Sequence, residues 1–414
     1  MRIAMLSYHT CPLATLGGKD TGGMNVYVRE LTRQLGAMGV HVDVYTRSQD
    51  VHVAPVIHDL GYGNRVVHVP AGPEVPLPKA ELAKHIPTFV SGVLKFAQEK
   101  DLHYDLIHSH YWMSGVAAKE LKDAWHVPVV QMFHTLGLMK NRIAGEGEHE
   151  GDFRIQGERD VLGFVDRVVA ATLAEQAQLQ WLYAVKTKKI RVVPPGVDLR
   201  HFYPIPADEA KAYIDASQGD CLMLYVGRIE PLKGIDTLLR AIALIRDGEK
   251  LAGHNICLSI IGGDADISEE EMSVEMARLH ALRQELGLVD SVKFLGKRSQ
   301  ESLPYYYSAA ELVVVPSHYE SFGMVALEAM ACGTPVVASQ VGGLAFLVQD
   351  GVTGYHVPDQ DPEALAEKLI TLMSDPEQHA RMGAAAVALA QDYAWEKIAV
   401  QIVKVYEEVL DEAE

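Results

Sequence analysis

Short apolar runs rich in β-branched residues recur along the first half of the chain, and stretches with helical periodicity separate them. The runs that predict strands cover residues 3–7, 42–46, 66–69, 106–108, 129–133, 168–171 and 190–193. Helices are predicted between them, most clearly over residues 26–35, 80–98 and 173–182. Alternating strands and helices indicate a parallel sheet with helices on both faces.

The same alternation begins again after a proline-rich segment. The predicted strands there cover residues 222–226, 256–261, 292–295, 312–315, 336–338 and 354–357. The intervening segment, near 195–215, has the prolines expected of a domain boundary. Because 414 residues also exceed the size that one core usually serves, we predict an α/β fold of two Rossmann-like domains facing a central cleft. Their predicted extents are 1–200 and 201–393. A last helix, over 395–412, has one apolar face.

The composition of the chain limits the classes of partner that we expect. Hydrophobic residues make up 48% of the chain and charged residues 22%, as in ordinary soluble globular proteins. The balance of 37 basic and 55 acidic residues gives a net charge of −18, which argues against nucleic acid as a partner. No apolar run approaches the roughly 18 residues of a membrane span. The first residues predict a strand rather than a leader, and four scattered cysteines favour a reducing, cytoplasmic setting.

The stretch from Pro316 to Gly343 carries two carboxylates in a predicted strand–loop–helix–strand unit. Glu320 lies in the loop, and Glu328 lies inside a helix of about ten residues that is apolar nearly all round and ends at Gly333. A buried, unpaired charge costs several kcal/mol. Two interpretations are open on pattern alone. Glu320 could interact with the helix dipole and Glu328 with a structural donor, or both could bind a ligand at the strand ends.

Basic and glycine residues stand at other predicted strand ends. Arg228 and Lys233 flank Pro231 beside a helix start, where cations can bind a diphosphate and stabilise it as it leaves, although two solvated cations would give the same pattern. Gly22 and Gly23 follow residues 17–21 and stand at the start of a predicted helix. They could let backbone N–H groups approach an anion there, or they could simply form a turn. They do not form GxGxxG, which argues against a dinucleotide oxidoreductase.

Histidines close two predicted strands of the first half. His134 follows the apolar strand 129–133, and His108 and His110 close the strand before it. A lone histidine at a strand end is more often structural than catalytic. We therefore treat His134 as a candidate that depends on its context, and the other two as weaker candidates.

The carboxylate stretch resembles a known family. Glu320-x7-Glu328, followed by Ala-Cys-Gly-Thr-Pro-Val-Val-Ala-Ser and Val-Gly-Gly, is similar to the donor-site motif of retaining nucleotide-sugar glycosyltransferases with the GT-B fold (family 4). The resemblance implies that Glu320 faces the donor sugar, that Glu328 holds the ribose hydroxyls and that His134 lies near the sugar. The full donor set that it implies is Gly22, Gly23, Arg228, Lys233, Arg298, Glu320, Ser321, Phe322, Gly323 and Glu328. It also implies that residues 394–414 return to the first domain.

A second resemblance concerns the acceptor. Residues 21–28, 107–112 and Lys140-Asn141 are similar to the inositol-phosphate glycosyltransferases of mycothiol biosynthesis. In that group a lysine, a tyrosine, a threonine and an arginine receive the acceptor's phosphate. The matching residues are Lys79, Tyr111, Thr135 and Arg154, and Asn25 matches a residue that faces the acceptor. Two cations and two hydroxyls suit a phosphate monoester, and the resemblance also implies a homodimer.

The expected activity is a retaining transfer of a glucose- or GlcNAc-type sugar, with UDP as the expected nucleotide, to a phosphorylated polyol or sugar such as inositol 3-phosphate. No cofactor or metal is expected. Asp264-Ala265-Asp266 spells the DxD of metal-dependent enzymes, but its position predicts a solvated loop. The alternatives are sucrose-phosphate-synthase-like transfer to a sugar phosphate, transfer to an unphosphorylated acceptor, and nucleotide-sugar binding without turnover.

Overall fold

The chain folds into two compact units. The computed structural model describes residues 1–14, 22–143, 149–217, 220–248, 255–263 and 272–413. Unit 1 contains the described residues up to Gly196 together with those from Trp395 onward, and unit 2 contains those from Val197 to Ala394. The change of unit falls within the proline-rich segment.

Unit 1 is built on an eight-stranded sheet with the order β3-β4-β2-β1-β5-β6-β7-β8. Its strands are β1 (Arg2–Leu6), β2 (His41–Arg47), β3 (Val56–Ile57), β4 (Arg65–Val69), β5 (Leu106–His110), β6 (Val129–Met132), β7 (Arg167–Ala170) and β8 (Ile190–Val192). All pairings are parallel except that of β3 with β4, which the sequence did not predict. Chain order reverses between β1 and β5, and ligands bind beyond the carboxyl ends of strands at such a point.

In the described part of unit 1, seven helices lie between these strands along the chain. They are α1 (Gly23–Ala37), α2 (Lys79–Leu82), α3 (Ile86–Glu99), α4 (Trp112–Trp125), α5 (Gly137–Ile143), α6 (Asp152–Phe164) and α7 (Leu173–Tyr183). The single helix predicted over residues 80–98 is wrong, because a 3-10 turn at Ala83–His85 divides α2 from α3. Pro87 lies in the first turn of α3, and proline cannot donate the hydrogen bond that a continuous helix would need there.

Unit 2 has a six-stranded, wholly parallel sheet with the order β11-β10-β9-β12-β13-β14. Its strands are β9 (Asp220–Val226), β10 (Asn255–Ile261), β11 (Val292–Gly296), β12 (Leu312–Val315), β13 (Val336–Ser339) and β14 (Gly354–Val357). Its helices are α8 (Ala207–Tyr213), α9 (Ile235–Asp247), α10 (Val274–Glu285), α11 (Leu303–Ala309), α12 (Met324–Ala331), α13 (Leu344–Leu347), α14 (Pro362–Ser374) and α15 (Pro376–Ala390). Here the order reverses between β9 and β12.

The last helix, α16 (Trp395–Ala413), belongs to unit 1 and packs against α1. Its predicted apolar face is buried: Ile398, Ile402, Val405 and Val409 are each at most 3% exposed. Tyr406 on the same face donates to or accepts from His108 Nδ1 at 2.7 Å. The return of this helix to the first domain, which the family resemblance implied, is therefore confirmed.

Among the described helices, none combines the length and the apolar character needed to cross a membrane.

Candidate functional site

Two neighbouring strands of unit 1 end in unusual backbone. Tyr111, directly after β5, has φ of 72°, and His134, two residues after β6, has φ of 62°. Residues other than glycine rarely adopt positive φ, and such strain gathers at functional sites. The two strand ends are tied together, because the Tyr111 N–H donates to the Met132 carbonyl at 2.8 Å. This edge of the sheet is therefore the first place to look for a ligand site.

The four residues expected to receive a phosphate meet around the Tyr111 ring. Lys79 Nζ lies 5.8 Å from the ring centre, and the Arg154 guanidinium carbon lies 5.1 Å from it. Arg154 Nη2 donates to both the carbonyl and the hydroxyl oxygen of Thr135, each at 3.0 Å. Residues separated by 75 positions in sequence are thus gathered from α2, from the ends of β5 and β6, and from α6.

Arg154 is buried and firmly held. It is 4% exposed, its Nε donates to Glu158 Oε1 at 2.8 Å, and its Nη1 donates to Glu150 Oε1 at 2.6 Å. Glu158 is fully buried and also accepts from the Gly137 N–H and the Tyr183 hydroxyl. Burial alone would lower the pKa of Arg154, but Tyr111 and the two carboxylates more than reverse this, so the pKa is raised and the cation persists.

Sequence reasoning missed both carboxylates. They lie four residues before and four residues after Arg154. Arg154 and Glu158 lie on one face of α6, and their spacing was a signal that could have found Glu158. Glu150 precedes the helix, so the spacing carries no such signal for it.

Glu150 also accepts from Lys140 Nζ at 2.8 Å, through the same oxygen that Arg154 contacts. Its backbone is fastened to the Asn141 side chain by hydrogen bonds of 2.6 and 2.9 Å. Burial raises the pKa of the Glu150 carboxyl, but Arg154, Lys140 and Lys79 outweigh burial and bring the pKa below its usual value. An anionic carboxylate thus occupies the point where these cations converge.

Asn25 has a structural task in unit 1. It is 1% exposed, and its Nδ2 donates to Thr10 Oγ1 and to the Cys11 carbonyl, each at 2.7 Å. Its Oδ1 accepts the Gly22 N–H at 2.9 Å. The side chain therefore fastens the start of α1, which begins at Gly23, to the loop after β1.

The predicted loop at residues 17–21 and the motif at residues 264–266 lie outside the described residues.

Three histidines form a chain inside unit 1. His110 Nδ1 lies 3.0 Å from His134 Nε2, and the rings of His108 and His110 lie 4.2 Å apart. Burial lowers the pKa of His108 and of His134 to about 3, and it lowers the pKa of His110 well below the usual value. The lowered pKa favours the neutral His134 imidazole, which can take part in hydrogen bonds.

In unit 2 the structure pairs Lys233 with Glu320, at 2.5 Å between Nζ and Oε2. Glycines make this approach possible. Gly234 has φ of 64°, and a Cβ there would lie 2.0 Å from the Pro316 carbonyl oxygen. A Cβ on Gly342, with φ of 47°, would lie 1.9 Å from the Glu320 carbonyl oxygen. The loops that follow β9, β12 and β13 can therefore meet, and they bring the predicted cation and carboxylate together.

The other predicted donor cations are more exposed. Arg228 Nη1 pairs with Glu230 Oε1 at 2.7 Å, and the Arg228 side chain is 45% exposed against 18% for Lys233. Arg298 is exposed and donates to the Tyr306 hydroxyl at 2.9 Å and to the Lys297 carbonyl at 3.1 Å. Neither contact joins Arg298 to Lys233 or Glu320.

The remaining predicted donor residues surround the start of α12. Gly323 takes φ of 108° just before the helix, next to Ser321 and the buried Phe322. Glu328 is 7% exposed, and its Oε2 accepts from the Tyr307 hydroxyl at 2.8 Å. Burial, followed by the nearby Glu328, raises the pKa of Tyr307. The structural hydrogen bond considered for Glu328 is therefore present.

Comparison with known proteins gives the same division of the chain. Residues 21–201 match the family model Glycosyltransferase Family 4, and residues 207–388 match Glycosyl transferases group 1. A D-inositol 3-phosphate glycosyltransferase from Thermomonospora curvata is 40% identical over 98% of this chain and 95% of its own length.

Solved structures agree with these matches. A sucrose-phosphate synthase from Thermosynechococcus elongatus has a TM-score of 0.90 and 36% identity, with 99% of each chain covered. Anabaena HepE in complex with UDP-glucose has a TM-score of 0.74 at 22% identity, with 99% of this chain and 100% of that one covered, and supports the fold alone. With two parallel α/β units and these full-length matches, the chain belongs to the GT-B glycosyltransferases whose two halves are of the Family 4 and group 1 types.

Proposed function

We propose that this glycosyltransferase moves a hexosyl group from a nucleotide diphosphate sugar to a small phosphorylated acceptor. The observation that carries the proposal is the convergence of Lys79, Arg154 and Thr135 around the Tyr111 ring. A buried guanidinium, an ammonium and two hydroxyl groups match the charge and the oxygens of a phosphate monoester.

The donor half of the proposal rests on unit 2. Lys233 and Arg228 lie beyond the carboxyl end of β9, where α/β sheets bind phosphates and nucleotides. Their charge would stabilise the diphosphate as it leaves, with Glu320 on the sugar side. UDP is the nucleotide that we expect, carrying glucose or GlcNAc.

The proposed reaction retains the configuration at the anomeric carbon. The bond from that carbon to the diphosphate oxygen breaks, the acceptor oxygen attacks on the same face, and the leaving phosphate takes the acceptor's proton. Neutral His134 would contribute a hydrogen bond rather than a proton in this scheme. We place the reaction in the cytoplasm, with the protein as a homodimer.

Two acceptors deserve the first tests. The relative with 40% identity acts on an inositol 3-phosphate by its name, which favours that polyol phosphate. The sucrose-phosphate synthase, at 36% identity and a TM-score of 0.90, favours a hexose phosphate such as fructose 6-phosphate as the second candidate. Both molecules carry the phosphate group that the Arg154 cluster would bind.

The test is a matrix of donors and acceptors. UDP-glucose, UDP-GlcNAc, ADP-glucose and GDP-glucose are each combined with inositol 3-phosphate, fructose 6-phosphate and their unphosphorylated parents, and released nucleotide diphosphate is measured. We expect release that depends on a phosphorylated acceptor, and a product with retained configuration by NMR. Nucleotide-sugar binding without release under any combination would contradict an enzymatic function.

A further inference from the structure

The phosphate cluster of unit 1 contains an anion of its own. Glu150 receives hydrogen bonds from Arg154 at 2.6 Å and from Lys140 at 2.8 Å, and it lies within electrostatic reach of Lys79. A carboxylate with two charged donors resembles a bound anion in charge and in geometry. We propose that Glu150 is a resident competitor that occupies the phosphate position until a phosphorylated acceptor displaces it. This inference rests on the proposed function.

The contacts of Arg154 show which of its partners a ligand could displace. A guanidinium has five N–H groups. In the structure Nε serves Glu158, Nη2 serves the carbonyl and the hydroxyl of Thr135, and Nη1 serves Glu150. Glu158 is fully buried, and one of the two Thr135 acceptors is a backbone carbonyl, so neither contact is lost at low cost. Glu150 is the partner that can be exchanged.

The remaining contacts of Glu150 permit that exchange. Its carbonyl and N–H are held by Asn141, so the backbone stays in place while the side chain turns away. The Glu150 side chain is 22% exposed, against none for Glu158, which gives the carboxylate a route to water. Of the two carboxylates that contact Arg154, Glu158 is therefore fixed and Glu150 is removable.

The exchange would favour doubly charged ligands. A phosphate monoester carries a charge of about −1.5 to −2 near neutral pH and three acceptor oxygens, against one charge and two oxygens on a carboxylate. A dianion brings more negative charge to these cations than the Glu150 carboxylate that it replaces. An uncharged acceptor brings none and therefore cannot replace Glu150. Glu150 would thus increase the selectivity for phosphorylated acceptors, and it would also weaken their binding because they must displace it.

The experiment compares wild type with Glu150→Gln and uses inorganic phosphate as the probe, titrated by calorimetry. Removing the competing charge should tighten phosphate binding by about tenfold or more, as expected for a charge-assisted hydrogen bond, and should lower KM for the phosphorylated acceptor. Asp152→Asn is the matched control, because it removes one exposed carboxylate two residues away and should leave phosphate affinity unchanged.

Glu150→Ala is a second variant with the same expected direction, in case one of the two does not fold. Unchanged or weaker phosphate binding in the folded variants would overturn the inference, since it would make Glu150 a support for Arg154 instead of its competitor. The proposed function fails separately: phosphate that binds through Arg154 and tightens in Glu150→Gln, without any sugar transfer, would refute the transfer and keep the competitor.

Discussion

The two candidate subsites place their cations in different settings. In unit 1, Arg154 is 4% exposed, is fixed by Glu158 and Thr135, and also contacts Glu150. In unit 2, Lys233 and Arg228 each contact one carboxylate near the surface. A buried guanidinium is suited to recognising a group that stays bound throughout turnover. Cations that are each paired with a single carboxylate beside glycine-containing loops are suited to a diphosphate that must leave.

The comparison predicts effects on stability of different size. Glu158→Ala should lower the free energy of unfolding of unit 1 by about 3–5 kcal/mol, because it leaves a buried guanidinium without its partner. Glu320→Ala should change the stability of unit 2 by no more than about 1 kcal/mol, because the Lys233 pair is partly exposed and screened. Denaturant-dependent hydrogen exchange resolves the two units. Equal losses would remove the distinction between a fixed and an exposed site.

For the catalytic rate we expect the large effect in unit 2. Lys233→Ala should lower kcat by about 10²–10³, the loss expected when a developing charge loses its stabilising partner. Its fold should be unaffected. Lys293→Ala, which removes an exposed lysine of β11, is the control and should keep the wild-type rate. A wild-type rate in Lys233→Ala would exclude this lysine from leaving-group stabilisation.

Two histidines with a lowered pKa predict how unit 1 responds to acid. His108 and His134 have a folded-state pKa of about 3, against about 6.5 when unfolded. The unfolded chain therefore binds more protons below pH of about 6.5, and stability falls from there toward about pH 3, by up to about 1.4 kcal/mol per pH unit for each histidine. Stability is highest above that range.

The contribution of Glu175 to stability depends on pH in the opposite direction. Burial raises the pKa of Glu175 to about 7, so its stabilising contribution is complete below its unfolded pKa of 4.5 and is lost as the pH rises through about 7. It can offset only one of the histidines. Unfolding free energies of unit 1 at several pH values should thus decline with acid, and less steeply in His108→Gln. A flat profile in wild type would contradict the lowered pKa of these histidines.

Metal removal should have the smallest effect. The described residues contain no cluster of three or more His, Cys, Asp or Glu that could hold a metal ion. Cationic side chains would neutralise the diphosphate instead. Turnover after dialysis against EDTA should equal that of untreated enzyme. Activity that EDTA abolishes and Mg²⁺ restores would show that Arg228 and Lys233 do not suffice.

Much of unit 2 could be predicted from sequence because its information is local. The apolar run of β12 has the predicted bounds, and Gly333 takes positive φ after α12 as expected of a helix terminator. The pairing of Lys233 with Glu320, 87 residues apart, follows from parallel strands whose ends meet at one edge.

Unit 1 was less predictable, since its site depends on contacts that no periodicity encodes. The positive φ of Tyr111 and His134 is imposed by the surrounding fold, against the preference of those residues. The bond between His108 and Tyr406 spans 298 residues. Lys79 and Arg154 were singled out only through the family resemblance. Of the two carboxylates that flank Arg154, Glu158 could have been found from its helical spacing, whereas Glu150 lies before α6.

The central claim is that Arg154 reads the phosphate of the acceptor. The measurement is kcat/KM for a phosphorylated acceptor and for its unphosphorylated parent, in wild type and in Arg154→Ala. Two lost charge-assisted contacts at about 1.5–3 kcal/mol each predict a preference of roughly a hundredfold or more in wild type. Most of that preference should disappear in Arg154→Ala, while nucleotide binding, which we assign to unit 2, stays nearly intact. Equal efficiency of the two acceptors with the wild-type enzyme would contradict the claim.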